Sequence, residues 1–152
     1  MIPSPRVLII EARFYEDLAD QLVTGALHVL ASAGAVIERR AVPGCFELPA
    51  AIAFALGASA EDGAYDGFVA LGCVIRGETD HYDHICREVS RALMDLSVQR
   101  QVALGFGVLT CQTYEQAFER ADINGQNKGA DAAEACLRMI ALKRLGAGAR
   151  EA

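Results

Sequence analysis

The sequence predicts one α/β domain, a three-layer αβα sandwich in which a four-stranded, mainly parallel sheet lies between helices on both faces. Short apolar segments alternate with longer segments whose apolar residues recur at helical spacing, as expected of strands and helices joined by right-handed crossovers. Polar residues follow each apolar segment, where parallel strands carry ligand sites. With 152 residues, 53% of them hydrophobic, the chain can bury a core, which excludes disorder. We expect a single domain over 1–152 with flexible ends at 1–5 and 146–152.

The predicted strands are apolar and too short to be helices. The first contains Val-Leu-Ile-Ile, and the third is apolar throughout, which is typical of central strands in parallel sheets. Pro43 and Gly44 end the second strand, and two glycines interrupt the fourth. The predicted bounds are 6–12, 35–42, 67–75 and 101–109.

The predicted helices follow from apolar residues at helical spacing and from end signals. Gly34 is expected to follow the end of the first helix, Pro49 to lie in the first turn of the second, and Thr113 to cap the fourth. The predicted bounds are 16–33, about 46–60, 82–98, 113–121 and 128–145.

Composition excludes several function classes. A net charge of −6 argues against a nucleic-acid partner. The five cysteines are an odd number without a C-x-x-C pair, which fits neither a disulfide framework nor a zinc site and favours a reducing compartment. The N-terminus does not resemble a signal peptide, and no apolar run approaches the ~18–20 residues of a membrane span. We therefore expect a cytoplasmic protein with no membrane partner.

The segment 72–84 is the most polar corner of the predicted fold. It follows the third strand, opens a helix, and contains two glycines, two histidines, an arginine and three carboxylates. Polar loops also follow the other three strands, so four loops are expected to meet at one rim of the sheet. A four-stranded sheet leaves exposed edges, which favours self-association.

Six motifs make the chain similar to the 6,7-dimethyl-8-ribityllumazine synthase family, because they occur in the order and at the spacing found in that family. Together they cover nearly the whole chain. The motifs are Ala12-Arg13-Phe14, Val42-Pro43-Gly44-Cys45-Phe46-Glu47-Leu48-Pro49, Leu71-Gly72-Cys73-Val74-Ile75-Arg76-Gly77-Glu78-Thr79-Asp80-His81-Tyr82-Asp83, Phe106-Gly107-Val108-Leu109-Thr110, Glu115-Gln116-Ala117 with Arg120, and Asn127-Lys128-Gly129.

The resemblance implies a fold, an activity and an assembly. The fold is flavodoxin-like. The activity is condensation of 5-amino-6-(D-ribitylamino)uracil with 3,4-dihydroxy-2-butanone 4-phosphate, the penultimate step of riboflavin synthesis, without metal or organic cofactor. The family forms homopentamers with active sites between subunits, in some members assembled into decamers or sixty-subunit capsids. We favour an isolated pentamer, with a functional link to riboflavin synthase implied.

The resemblance also implies roles for individual residues. His81 would transfer protons. Arg120 would neutralise the phosphate and be oriented by Asp131, and Phe106 and Arg120 would come from the neighbouring subunit. The implied phosphate-binding residues are Gly77, Glu78, Thr79 and Arg120. The implied pyrimidine- and ribityl-binding residues are Phe14, Cys45, Phe46, Glu47, Cys73, Val74, Ile75, Phe106 and Lys128.

Simpler explanations exist for most of these residues. Phe14 and Phe106 could be core residues, Arg120 a surface arginine, and Lys128 a solvated residue at a kink. Arg76 is expected to hold its loop in place by hydrogen bonds to backbone carbonyls, and His84 to be a solvated helix residue. Glu78 and Asp80 are expected to point away from a phosphate. Two rival functions remain: a protein that binds riboflavin without turnover, and, less well supported, an FMN-binding flavodoxin.

Overall fold

Four parallel strands form the sheet: β1 (Arg6–Ala12), β2 (Val36–Val42), β3 (Gly67–Ile75) and β4 (Leu104–Cys111). The computed structural model describes residues 3–58 and 64–146. The strand order is β2-β1-β3-β4, so β1 and β3 are central and the other two strands are edges. This is the order of the flavodoxin-like doubly wound fold, and the predicted fold class is confirmed.

Two layers of helices cover the sheet. On one face α1 (Glu16–Ser32), α4 (Tyr114–Ala121) and α5 (Lys128–Gly146) enclose one core cluster. On the other face α2 (Leu48–Ala58) and α3 (His81–Gln99) enclose a second cluster, and a 3-10 turn, Cys45–Glu47, leads into α2. No helix within the described ranges is both long enough and apolar enough to cross a membrane.

Both faces of β1 are buried, which explains the unbroken apolar run from Val7 to Ile10. Val7 and Ile9 pack into the first cluster, whereas Leu8 and Ile10 pack into the second. Because successive side chains of a strand point to opposite faces, a strand between two helical layers needs apolar residues at every position. Burying each such side chain stabilises the fold by roughly 1.5–3 kcal/mol.

The structure corrects some predicted bounds. The fourth strand begins at Leu104, because Gln101 has a φ of 53° and lies in a turn closed by the bond from the Val102 amide to the Ser97 carbonyl (3.2 Å). It continues to Cys111, which pairs with Ile75. The described part of the second helix ends at Ala58. Residues 59 and 60, which were also predicted to be helical, lie outside the described residues.

The predicted helix end signals are confirmed. Gly34 follows α1 with a φ of +74°. The Thr113 hydroxyl accepts a hydrogen bond from the Gln116 amide (3.2 Å), as an N-cap should. Of the ends expected to be flexible, residues 1–2 and 147–152 lie outside the described residues. The Pro5 carbonyl accepts a bond from the Val36 amide (2.8 Å), and Gly146 is the last residue of α5.

Helix α5 lies unusually close to its neighbours. A Cβ added to Gly129 would lie 2.0 Å from the Leu22 carbonyl oxygen of α1, and one added to Gly105 would lie 2.0 Å from the Ala132 carbonyl oxygen. Only glycine allows backbones to approach this closely. The first turn of α5, with Lys128 and Asp131, is therefore held against the edge strand β4.

Candidate active site

A cavity of about 580 Å³ opens at the carboxyl ends of the central strands, and we call it the rim cavity. The 3-10 turn and the start of α3 form its sides. It is lined by Phe14, Tyr15, Gly44, Cys45, Phe46, Glu47, Cys73, Val74, Ile75, His81 and Ile85. Every residue predicted to bind the pyrimidine and ribityl groups lines it except Phe106 and Lys128, and His81 lines it as well.

Two of the three aromatic rings that line the rim cavity are exposed, and the third, Tyr15, is half-buried. The side chain of Phe14, in the turn between β1 and α1, is 74% exposed and meets the Tyr15 ring edge-on at 4.9 Å. Phe46, in the 3-10 turn, is also exposed. Core packing therefore does not explain Phe14. Exposed rings at a cavity mouth suit stacking on a flat, partly polar ligand.

Glu47 has a structural role as well as a place in the rim cavity. Its Oε1 atom accepts a hydrogen bond from the Gly44 amide (3.0 Å), and its own amide donates to the Gly44 carbonyl (3.2 Å). This pair fixes the turn after β2. Because a carboxylate has about four lone-pair sites, the side chain keeps capacity for hydroxyl donors.

The loop before α3 is exposed and is fixed by its own side chains. The Thr79 hydroxyl accepts a hydrogen bond from the His81 amide (3.3 Å), which holds the first residue of the helix. The Asp80 carboxylate lies 3.2 Å from His84 Nε2, on the helix side of the loop. His84 is therefore an exposed partner of Asp80 and does not line the rim cavity.

Arg76 holds this loop to α3. Its guanidinium donates to the Asp83 carboxylate (2.9 Å) and lies 4.4 Å from the centre of the Tyr82 ring. The predicted structural role of Arg76 agrees with these contacts. Its partners are side chains, however, rather than the backbone carbonyls that the sequence suggested.

A second cavity, of about 340 Å³, lies along the free edge of β4, and we call it the edge cavity. It is lined by Phe106, Gly107, Val108, Leu109, Thr110, Arg120, Lys128, Asp131, Ala132 and Ala135. Four predicted site residues neither line the rim cavity nor belong to the loop before α3. All four line the edge cavity: Phe106, Arg120, Lys128 and Asp131. Among the described residues, none lines both cavities.

The edge cavity carries two cations and one carboxylate. The Arg120 guanidinium donates to the Gln116 carbonyl (3.2 Å), and within the described residues it forms no ion pair. Asp131 lies 3.3 Å from Lys128 Nζ. The predicted pairing of Asp131 with Arg120 is therefore not observed, because Lys128 lies one turn away on the same helix and takes the carboxylate.

Comparison with known proteins agrees with the motifs. The family model described as 6,7-dimethyl-8-ribityllumazine synthase matches residues 4–144. The chain belongs to the 6,7-dimethyl-8-ribityllumazine synthase family. The 6,7-dimethyl-8-ribityllumazine synthase 1 of Rhizobium meliloti is 56% identical over 148 residues, which cover 96% of this chain and 97% of that relative. The 6,7-dimethyl-8-ribityllumazine synthase of Methylobacterium radiotolerans is 54% identical over 149 residues, which cover 98% of this chain and 88% of that relative.

The thiols of the rim cavity are buried and neutral. Burial raises the pKa of Cys45 to about 12 and raises the pKa of Cys73 further above its ordinary value. Neutral thiols are poor nucleophiles and poor metal ligands. Within the described residues, no group of three or more His, Cys, Asp or Glu side chains is arranged to hold a metal ion. The cavity is thus suited to binding and proton transfer by groups other than thiols.

Some lining residues were not predicted as ligand contacts, among them Tyr15, Ile85 and Thr110. Tyr15 and Ile85 line the rim cavity, and Thr110 lines the edge cavity. Ile85 could have been found, since it lies one helical turn after His81 and so shares its face of α3. Thr110 follows Val108 by two residues in β4 and could have been assigned to the same side.

Proposed function

We propose that this chain condenses 5-amino-6-(D-ribitylamino)uracil with 3,4-dihydroxy-2-butanone 4-phosphate to give 6,7-dimethyl-8-ribityllumazine, with release of phosphate and water. The observation that carries the proposal is the rim cavity. It brings together two exposed aromatic rings, a carboxylate with spare acceptor sites, the end of β3 and one histidine. The family to which the chain belongs is described as 6,7-dimethyl-8-ribityllumazine synthase.

The ring substrate would occupy the rim cavity. Phe14 would stack on the pyrimidine ring, and Glu47 would accept hydrogen bonds from ribityl hydroxyls. Cys45, Phe46, Cys73, Val74 and Ile75 would contribute mainly through the main chain and the shape of the cavity wall.

The chemistry needs orientation more than a strong nucleophile. The substrate amine attacks the ketone, and loss of one water gives an imine. Phosphate is then eliminated, and ring closure with loss of a second water completes the second ring. Aligning two reactants can supply an effective molarity of ~10⁵ M or more. His81 lines the cavity and would transfer these protons, since an imidazole can accept and donate a proton near neutral pH.

The phosphate substrate calls for cations that the rim cavity lacks. Among the described residues, no Lys or Arg lines it. The loop of Gly77, Glu78 and Thr79 offers backbone groups beside the start of α3, and Arg120 supplies a guanidinium fork suited to phosphate oxygens. Lys128 would add a second cation beside Phe106.

The complete site would therefore form between two copies of the chain. The edge cavity of one copy, with Phe106 and Arg120, would close the rim cavity of the next. Such a head-to-tail contact generates a ring, and we propose the homopentamer, located in the cytoplasm and linked functionally to riboflavin synthase. The exposed Phe106 side chain on an edge strand supports this arrangement.

Two measurements test the proposal. Incubation of the protein with both substrates should produce the lumazine chromophore at a rate far above that of the uncatalysed mixture. Sedimentation should give a particle of roughly five times the 16.2 kDa chain mass. Binding of riboflavin without any lumazine formation would support the binding protein instead, and an active monomer would contradict the two-chain site.

A further inference from the structure

Glu11 is the only buried charged residue in the described part of the chain, with 3% of its surface exposed. It lies near the end of β1 and faces the layer of α1 and α5. Arg39 of β2 donates to it from two nitrogens, Nε to Oε2 and Nη2 to Oε1, both at 2.8 Å. Arg13 donates to Oε1 at 2.7 Å. The apolar run from Val7 to Ile10 of a central strand is therefore followed by a carboxylate held by two arginines.

Arg13 connects this carboxylate to the first turns of α1. Its Nε donates to the Glu16 carboxylate (2.9 Å), and its Nη2 contacts the Asp20 carboxylate. Its amide donates to the Val42 carbonyl at the end of β2 (3.0 Å). The guanidinium thus ties together the end of β1 and α1, while the backbone of the same residue is tied to β2.

The turn that Arg13 holds carries Phe14. Within the described residues, the helix-capping residue Tyr15 makes no capping bond through its side chain. The Phe14 ring is exposed, and its ring contact within the described residues is with its neighbour Tyr15 in the same turn, so packing against other elements does not fix its place over the rim cavity. The position of the ring therefore depends on the backbone of this turn, and the turn depends on Arg13.

We propose that Glu11 and Arg39 are positioning residues that act through Arg13 to hold Phe14 over the rim cavity. The inference rests on the proposed function, since it assigns Phe14 to the pyrimidine ring. It adds a group of residues that lies beneath the site and does not line it.

The charges of this group depend on one another. Burial alone would raise the pKa of Glu11, but the hydrogen bonds and charges of Arg39 and Arg13 outweigh it and lower that pKa. The carboxylate therefore stays charged. Replacing it with an amide leaves two guanidinium groups close together with no buried anion between them, and Arg13 is then free to follow Glu16 and Asp20 away from β1.

The test is a double-mutant cycle between Glu11→Gln and Phe14→Ala. We expect Glu11→Gln to raise KM for the pyrimidine substrate by about tenfold, less than the ~10²-fold that misplacing reacting groups can cost, because only one binding ring moves. KM for the butanone phosphate should change by less than about twofold. In the Phe14→Ala background, Glu11→Gln should have almost no further effect on KM for the pyrimidine substrate.

Glu38→Gln is the matched control. Glu38 pairs with Arg6 at 3.0 Å, again between β1 and β2, but at the end of the strands opposite the cavity. Glu38→Gln makes the same change of carboxylate to amide, and it should leave KM unaltered for both the pyrimidine substrate and the butanone phosphate.

An unaltered KM for the pyrimidine substrate in Glu11→Gln would overturn the inference, as would effects that multiply in the double variant.

If the Glu11→Gln protein does not fold, the Arg39→Lys protein is tested in its place. Arg39 is half exposed, and lysine keeps the charge of arginine but cannot make the two-nitrogen contact. A rise of about threefold that disappears in the Phe14→Ala background is then expected, and an unchanged KM overturns the inference. An inactive wild-type protein would overturn the proposed function itself, whereas an active one with unaffected variants overturns only the positioning role.

Discussion

Under the proposed function, the rim cavity and the edge cavity would each supply part of what the reaction needs. The rim cavity offers aromatic rings, the end of a central strand and a histidine, but no Lys or Arg side chain among the described residues. The edge cavity offers Arg120 and Lys128 beside one exposed aromatic ring. A flat, uncharged ring fits the first and a phosphate fits the second. Neither cavity alone suits both substrates.

The difference follows from the position of each cavity in the sheet. The rim cavity is built on β1 and β3, which have neighbours on both sides, so only their carboxyl ends are open. The edge cavity is built on β4, which has no neighbouring strand on its outer side within the described part of the chain. Unpaired edges in native proteins are covered or shielded, and here another chain is the proposed cover.

The largest expected effect tests the chemistry of the rim cavity. His81→Ala should lower kcat by about 10²–10⁴-fold, the usual contribution of a proton-transfer group, while turnover remains measurable because alignment of the substrates persists. Steady-state kinetics with both substrates measures this. His84→Ala is the control, since His84 is exposed and paired with Asp80 outside the cavity. A His81→Ala protein that binds both substrates normally but never turns over would assign the histidine a larger role.

The next effect tests the edge cavity. Arg120→Ala should raise KM for the butanone phosphate by roughly 10–100-fold, because a charge-assisted hydrogen bond is worth about 1.5–3 kcal/mol. Removing Arg138 is the matched control, since this exposed arginine of α5 pairs with Glu134 and lines neither cavity. Unchanged saturation by the butanone phosphate would remove Arg120 from the phosphate site.

A mixture of the two variants tests whether the cavities act together across chains. Neither parent has an intact site, but in a random equal mixture about a quarter of the contacts would join an intact His81 to an intact Arg120 of the next chain. Activity at low butanone phosphate concentration should then exceed that of either parent several-fold after joint refolding. No gain over the average of the parents would mean that both residues serve the same chain's site.

The fold was predictable because local patterns and buried layers agree. The strands Arg6–Ala12 and Gly67–Ile75 have the predicted bounds, since both faces of each are buried and each contains an unbroken apolar run, Val7 to Ile10 in the first and the whole strand in the second. The start of β4 was mispredicted because Val102 and Ala103 are buried and apolar although they precede the strand. Burial alone cannot distinguish a strand residue from a buried turn residue. The positive φ of Gln101 has no signal in its residue type.

The site was predictable residue by residue but not in its contacts. The motifs brought eight predicted residues to the rim cavity, because loops after parallel strands meet at one rim. Asp131 contacts Lys128 and not the predicted partner Arg120, and a sequence cannot rank these two cations as partners without a distance. The carboxylate of Glu11 was not singled out at all. A single acidic residue in an apolar strand is a signal that could have directed attention to it.

The smallest expected effect concerns Cys45, whose side chain is a wall of the rim cavity. Cys45→Ala should change KM by less than about threefold and lower the free energy of unfolding by about 1 kcal/mol, since it removes one buried sulfur.

The effect of Cys45→Ala on stability should also depend on pH. Burial raises the pKa of the Cys45 thiol to about 12, so the folded protein keeps the thiol protonated at pH values where the unfolded chain releases its proton. The thiol's contribution to stability is thus complete below its ordinary pKa and is lost as pH rises from there towards about 12. Denaturant unfolding of both proteins should therefore show the deficit of Cys45→Ala shrinking above about pH 9. A deficit that is the same at neutral and alkaline pH would mean that the thiol ionises as easily in the fold as in the unfolded chain.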